Sequence, residues 1–210
     1  MKSVILFLTA TAFVAGQPAH PVPFASTQNI LYLTIVNDAA CTAEGLVLRV
    51  AQAPEWIRFD RADRAVPAIS AHETAELQLP FVIDRMAPVQ TEGTVLLSVE
   101  SAGRERWEQR LRITVLAPET YELFQNYPNP FNPVTTIAYQ LPEEARIRLR
   151  ICDLIGRDIG TIDEGTRTPG YHRVRFDAAG HASGVYVCLL ETIDPAGRHR
   201  TFRRTMVLVR

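Results

Sequence analysis

Apolar and polar residues alternate with a period of two along most of this chain, as they do in strands that are wet on one face and buried on the other. The first such run is Ile30 to Val36, and Asn37-Asp38 stops it. Leu46, Leu48 and Val50 share a face in the next, and a short run covers Trp56 to Phe59. In Thr74 to Ile83, the residues Ala75, Leu77, Leu79, Phe81 and Ile83 fall on one side, and Thr94 to Glu100 and Trp107 to Leu116 complete the set. Short strands at even spacing, divided by turn residues, predict an antiparallel β-sandwich over 29–117. No window carries a 3.6-residue apolar repeat with caps, so no helix is expected.

The pattern breaks at Leu116-Ala117-Pro118-Glu119-Thr120, which is read as a domain boundary. Beyond it, Pro128, Pro130 and Pro133 each remove a backbone donor and push the preceding residue out of the helical region. The segment 121–133 therefore runs as extended chain and turns. Asn129 and Asn132 are expected to close Asx-turns, and Phe131 to pin the segment to the core. Strands resume at Thr135 to Leu141. Arg146, Arg148 and Arg150 then alternate with Ile147, Leu149 and Ile151. Asp153-Leu154-Ile155-Gly156-Arg157 reads as a turn, with Gly156 at positive φ. Further runs cover 158–162, 171–176, 185–192 and 201–209, enough for a second sandwich over 118–210. The fold class read from the residues is all-β, with two tandem antiparallel sandwiches.

The N-terminus differs from both halves. Met1-Lys2, an apolar run from Val4 to Val14 and the small residues Val14-Ala15-Gly16 predict a secretory signal peptide over 1–16. The run is too short to span a bilayer, which takes roughly 20 apolar residues. Residues 17–28 are Pro-rich and read as an extended lead-in. Export makes a disulfide chemically accessible to three cysteines, Cys41, Cys152 and Cys188. Cys152 and Cys188 fall in strands of the second half. A bridge between them and a pair of buried free thiols both fit the sequence.

Charge narrows the function classes. The formal net charge is −1, so no basic domain argues for nucleic-acid binding. Residues 118–210 carry 12 Arg against 11 Asp and Glu, and 17–117 carry 9 against 12, too small a contrast for steering. Arg148, Arg150, Arg173, Arg175, Arg203 and Arg204, with Arg146 and Arg200 beside them, form a candidate basic docking face. Scattered surface pairs on solvated strands are the alternative. Asp153, Asp163, Asp177 and Asp194 sit in turns but lack the density of a calcium loop, so no metal site is expected. Catalytic signatures are missing. His72-Glu73 lacks the second His of a metalloprotease helix, and no G-x-S-x-G elbow or Gly-rich phosphate loop occurs. No enzyme and no cofactor are expected.

Residues 121–210 resemble the C-terminal sorting domain, type A, of the type IX secretion system, and more distantly the flagellar hook-capping Ig-like domain. The resemblance is carried in order by Asn126, Pro128, Asn129, Pro130, Phe131, Asn132 and Pro133. Asp153 and Gly156 in 149–157 follow, then Gly170, Ser183, Gly184 and Tyr186, and the end Met206, Val207, Leu208, Val209 and Arg210. Cys152 and Cys188 depart from it, since aromatics are common there. Residues 29–116 are more loosely similar to Ig-like accessory modules of secreted bacterial proteins, on Thr34-Ile-Val-Asn37, Pro54-Glu-Trp56 and 69–73. The resemblance implies a folded tag read by an outer-membrane translocon and cut by a surface sortase-like protease. It also implies that the first domain is the passenger, joined to anionic lipopolysaccharide. An exposed edge and C-terminal strand would present such a tag for strand addition or side-chain pockets. The expected location is the cell surface or medium, reached through the periplasm. The alternative is an extracellular glycan- or protein-binding module in which Trp56 and Trp107 grip the ligand and the second sandwich is structural.

Overall fold

The computed structural model describes residues 6–10, 19–102 and 105–210, and the chain divides into two compact units, Met1–Leu116 and Ala117–Arg210. Among the described residues every element is a strand. The expectation of an all-β, sandwich-type fold holds.

In the first unit one sheet has the order β1-β3-β7-β5, built from β1 (Leu6–Ala10), β3 (Asn29–Asn37), β7 (Thr74–Ile83) and β5 (Ile57–Phe59). The other runs β2-β9-β8-β4-β6, from β2 (His20–Val22), β9 (Arg106–Val115), β8 (Glu92–Glu100), β4 (Val47–Gln52) and β6 (Asp63–Ala65). Alternation decides which side of each strand enters the core. Leu31, Leu33 and Ile35 of β3 pack with Leu79, Phe81 and Ile83 of β7, with Val95, Leu97 and Val99 of β8, and with Leu111, Ile113 and Val115 of β9. Each fully buried aliphatic side chain of this kind stabilises by roughly 1.5–3 kcal/mol.

Two sequence expectations meet the structure here, and one strand was not expected. The cleavage region at 14–17 lies outside the described residues, while Leu6–Ala10, within the run expected to be a signal peptide, pairs antiparallel with Leu33–Asn37. The segment read as a lead-in is a strand in its middle. His20–Val22 pairs parallel with Ile113–Val115, and Val22 is buried. Pro21 is tolerated there because β2 is an edge strand. Asp63–Ala65, too short to show a period, escaped the reading.

In the second unit a sheet ordered β10-β11-β14 joins β10 (Glu122–Leu123), β11 (Val134–Leu141) and β14 (Gly170–Asp177). It shares one core with a sheet ordered β13-β12-β15-β16, made of β12 (Ala145–Asp153), β13 (Asp158–Arg167), β15 (Gly184–Ile193) and β16 (His199–Leu208). As the alternation predicts, Ala145, Ile147, Leu149 and Ile151 face inward while Arg146 and Arg148 are exposed. Tyr139, Phe131 and Leu123 fill the centre, each at most 1% exposed.

The hairpins at the two ends of the four-stranded sheet repeat one device. In Asp153-Leu-Ile-Gly-Arg157, the Asp153 carboxylate accepts the Arg157 backbone N–H at 2.9 Å and its Nε–H at 2.6 Å. In Asp194-Pro-Ala-Gly-Arg198, the Asp194 carboxylate accepts the same two groups of Arg198 at 2.9 and 2.7 Å. Gly156 and Gly197 carry φ of +82° and +77°, the left-handed conformation in which a Cβ is penalised.

Candidate functional site

The Pro-rich segment is bound to the C-terminal strand. Tyr127–Pro128 and Asn129–Pro130 are cis peptide bonds. Asn126, buried, donates through Nδ2 to the Pro128 carbonyl at 2.9 Å and to Thr135 Oγ1 at 3.0 Å, while Thr135 Oγ1 donates to the same carbonyl. That knot orients the following residues along the outer edge of β16. The Gln125 side chain donates to the Thr205 carbonyl at 2.8 Å, and Asn129 Nδ2 does so at 3.3 Å. Asn129 Oδ1 accepts the Val207 N–H at 2.9 Å. Phe131 N–H donates to the Val207 carbonyl, and Val209 N–H donates to the Phe131 carbonyl. Phe131 thereby bridges Leu208 as a short parallel strand, and its ring is buried 6.2 Å from that of Phe176.

Two expectations are corrected by this geometry. Asn129 does not close a local Asx-turn, because its amide is taken by a strand 76 to 78 residues away. Nor is the edge of the C-terminal strand open for strand addition over 205–209, since residues 125–131 already satisfy it.

Pairing in the four-stranded sheet brings the other motif residues to the same end. Asp153 lies opposite Tyr186, Gly184 opposite Leu208, and Tyr186 opposite Met206. The Tyr186 hydroxyl donates to the Ala182 carbonyl at 2.6 Å, holding Ser183-Gly184 against the strand start. A shallow hollow of about 310 Å³ opens between the β12–β13 turn and the start of β15, lined by Leu154, Ile155, Arg157, Ile159, Ser183 and Val185. Leu154 and Ile155 are 69% and 77% exposed at the tip of the turn, and Val185 and Val209 are partly exposed nearby. The Arg157 guanidinium, bonded to Asp153, holds that carboxyl below the usual aspartate range. The site thus combines an exposed apolar pair with a fixed ion pair. Gly170 falls elsewhere, pairing with Leu141 at the end of β14 remote from Asp177 and Pro133.

Asp153–Arg157 is legible as a turn, while Leu154-Ile155 is a pair that the expected site residues do not include. Two large aliphatics inside a hairpin turn, where polar residues are the rule, were the signal. Gln125 leaves no local trace of its role, because its partner Thr205 lies 80 residues away in the chain.

The other candidate features disperse. Arg148 and Arg150 lie on the outer face of the four-stranded sheet, where Arg148 stands between Glu164 and Glu191 and Arg150 pairs with Glu191 at 3.3 Å. Arg203 lies opposite Leu189, but Arg204, one residue on, lies opposite inward-facing Cys188, so the two project to opposite sides of β16. Arg173 and Arg175 lie on β14 of the other sheet. One basic face does not form. Cys152 and Cys188 are free and buried. The register sets Cys188 opposite Ile151 and Cys152 opposite Val187, one residue out of step, and the expected bridge option is corrected accordingly. Burial, with Cys152 nearby, pushes the Cys188 thiol up to about 12.

The four aspartates each have separate partners, and Asp163 lies inside β13, not in the turn expected for it. Asp163 accepts the Tyr139 hydroxyl at 2.7 Å and pairs with Arg167, Asp177 accepts the Ala179 N–H, and Asp194 pairs with Arg198 and Arg200. Burial and the Asp163 hydrogen bond together raise the Tyr139 phenol well above its ordinary value. No cluster of three or more His, Cys, Asp or Glu side chains suited to a metal occurs among the described residues. Trp56 is half-buried, packed over Gly93, where an added Cβ would lie 2.4 Å from its ring, and Trp107 also packs on the core. Neither is the exposed platform that ligand gripping needs.

No family model matches the chain, and no curated protein matches it by sequence. Solved structures give distant likenesses. Dimeric latent PorU from Porphyromonas gingivalis is 13% identical over 99% of this chain and 20% of its own, with a TM-score of 0.37. The Yersinia pseudotuberculosis adhesin InvE is 12% identical over 96% of this chain and 58% of its own, with a TM-score of 0.39. A tandem repeat from the extending region of a large adhesion protein is 11% identical over 99% of this chain and 50% of its own, with a TM-score of 0.34. This chain therefore spans a fifth of the PorU chain and little more than half of the adhesin chain.

Proposed function

We propose that this is an exported, non-enzymatic surface protein whose second domain is a folded address of the type IX sorting kind. The first domain is its passenger. The observation that carries this reading is convergence. Asn126–Phe131, Asp153–Arg157, Ser183–Tyr186 and Met206–Val209 are far apart in sequence and meet at one end of one sandwich. A structural role alone accounts for the buried members. It does not account for Leu154 and Ile155, which are exposed at that end and contribute little to the core. An outer-membrane translocon docking on this apolar tip would read a surface that exists only in the folded domain. A sortase-like protease acting between the domains, and transfer of the passenger to anionic lipopolysaccharide, belong to the same proposal.

The test is Leu154→Asp/Ile155→Asp in the full-length protein, followed by cell fractionation. Expected is a thermal midpoint close to that of the parent, with the protein retained in the periplasm. Normal delivery of a folded variant to the surface or medium overturns the reading. A second reading, adhesion by the first domain, draws support from Ile30 and Tyr32, 44% and 51% exposed on one face of β3. A glycan-array or pull-down signal lost on Tyr32→Ala in folded protein would favour it, with the second sandwich then structural.

A further inference from the structure

The edge of β3 is occupied by residues that the export reading removes. Leu6–Ala10 pairs antiparallel with Leu33–Asn37, and among the described residues no other strand lies on that side of β3. A mature chain beginning near Gln17 lacks this strand. The side of β3 (Asn29–Asn37) that faces away from β7 is then an open strand edge. Native sheets protect such edges with charge, proline or bulges. This one has none of these. Asn-Ile-Leu-Tyr-Leu-Thr-Ile-Val-Asn carries no charge and no proline, and its pairing with β7 is in unbroken register. Beside the same strand, Ile30 and Tyr32 help to line a hollow of about 670 Å³.

We propose that the mature protein pairs with a second copy of itself through this edge, β3 against β3, about a two-fold axis at Leu33; the proposal rests on the export reading, through removal of the leader. Strands related by a two-fold axis run antiparallel, the sense in which β3 already accepts β1. Centred on Leu33, the pairing uses the whole edge. It sets Ile30 opposite Val36 and Tyr32 opposite Thr34 of the second copy. Aromatic and β-branched residues make favourable cross-strand pairs, and the lack of charge means that nothing repels. Ile30 and Tyr32 each gain a cross-strand neighbour on their own face, and each sheet continues into its neighbour's.

The experiment takes the exported protein from cells, determines its N-terminus by mass spectrometry and its mass by light scattering. Expected is a chain beginning near Gln17 with twice the monomer mass. Tyr32→Lys/Thr34→Lys places like charges face to face and returns the mass to that of one chain. Mixing it with Tyr32→Glu/Thr34→Glu restores the doubled mass, which separates lost pairing from lost folding. A peptide of residues 4–12 added in excess should also halve the mass of the parent. An exported chain that retains Leu6–Ala10 overturns the leader reading and the open edge together. A chain beginning near Gln17 that stays monomeric overturns the pairing alone.

Discussion

Phe131 and Asn129 show how two neighbouring residues divide the work of one segment. Phe131 is 1% exposed, and its loss leaves a cavity under the Pro-rich chain. Phe131→Ala is expected to destabilise the second domain by about 3–5 kcal/mol in denaturant titration. Asn129 is exposed and bonds only the edge of β16, so Asn129→Ala should cost about 1 kcal/mol by the same measurement. Asp194 adds a pH signature. Burial raises its carboxyl pKa, but the Arg198 backbone N–H and the Arg200 and Arg198 guanidinium groups outweigh that and leave it at about 2, against 3.8 unperturbed. A depressed carboxyl stabilises fully above the unfolded value and loses that contribution as pH falls through the folded one. The melting temperature of the second domain should drop between about pH 4 and pH 2, and Asp194→Asn should start lower and drop less over the same window. The peg role of Phe131 and the positive φ of Gly156 were legible in the sequence because both follow from local chain chemistry. The partner of Asn129 was not, since nothing near residue 129 encodes contact with residue 207.

At the scale of elements, the period-two pattern located most strands and their inward sides, as in β12, where Ile147, Leu149 and Ile151 are buried. Alternation says which side of a strand is wet. It does not say which sheet the strand joins. That is why six arginines that look alike in sequence separate onto two sheets and both sides of β16. The cysteines follow the same logic. Strand membership was readable, while the one-residue offset between Cys152 and Cys188 is set by long-range register. Thiol labelling of the folded protein should modify Cys41, which is partly exposed, and leave Cys152 and Cys188 unmodified until denaturant is added. Labelling of Cys188 in the native state at neutral pH would contradict its burial and raised pKa.

At the scale of the whole molecule, the C-terminus is both motif and core, and this decides how an export signal there is to be tested. Met206 and Leu208 are at most 1% exposed, and Val207 and Val209 share main-chain bonds with Phe131. Deleting residues 206–210 therefore removes two core side chains, the pairing with Gly184–Tyr186 and the partner of the Pro-rich segment. Each buried aliphatic lost costs roughly 2–5 kcal/mol, and a typical domain has only about 5–15 kcal/mol in total. The truncated second domain should have no cooperative melting transition, and its failure to be exported would say nothing about recognition. Deleting Arg210 alone removes an exposed residue beyond the end of β16, so the domain should melt near the parent temperature. Comparing both deletions with Leu154→Asp/Ile155→Asp separates the two causes. If the tip is what a translocon reads, the tip variant is folded and retained, the single deletion is folded and delivered, and only the five-residue deletion is unfolded. Retention of the folded Arg210 deletion, with delivery of the tip variant, would move the recognition surface from the turn to the chain end.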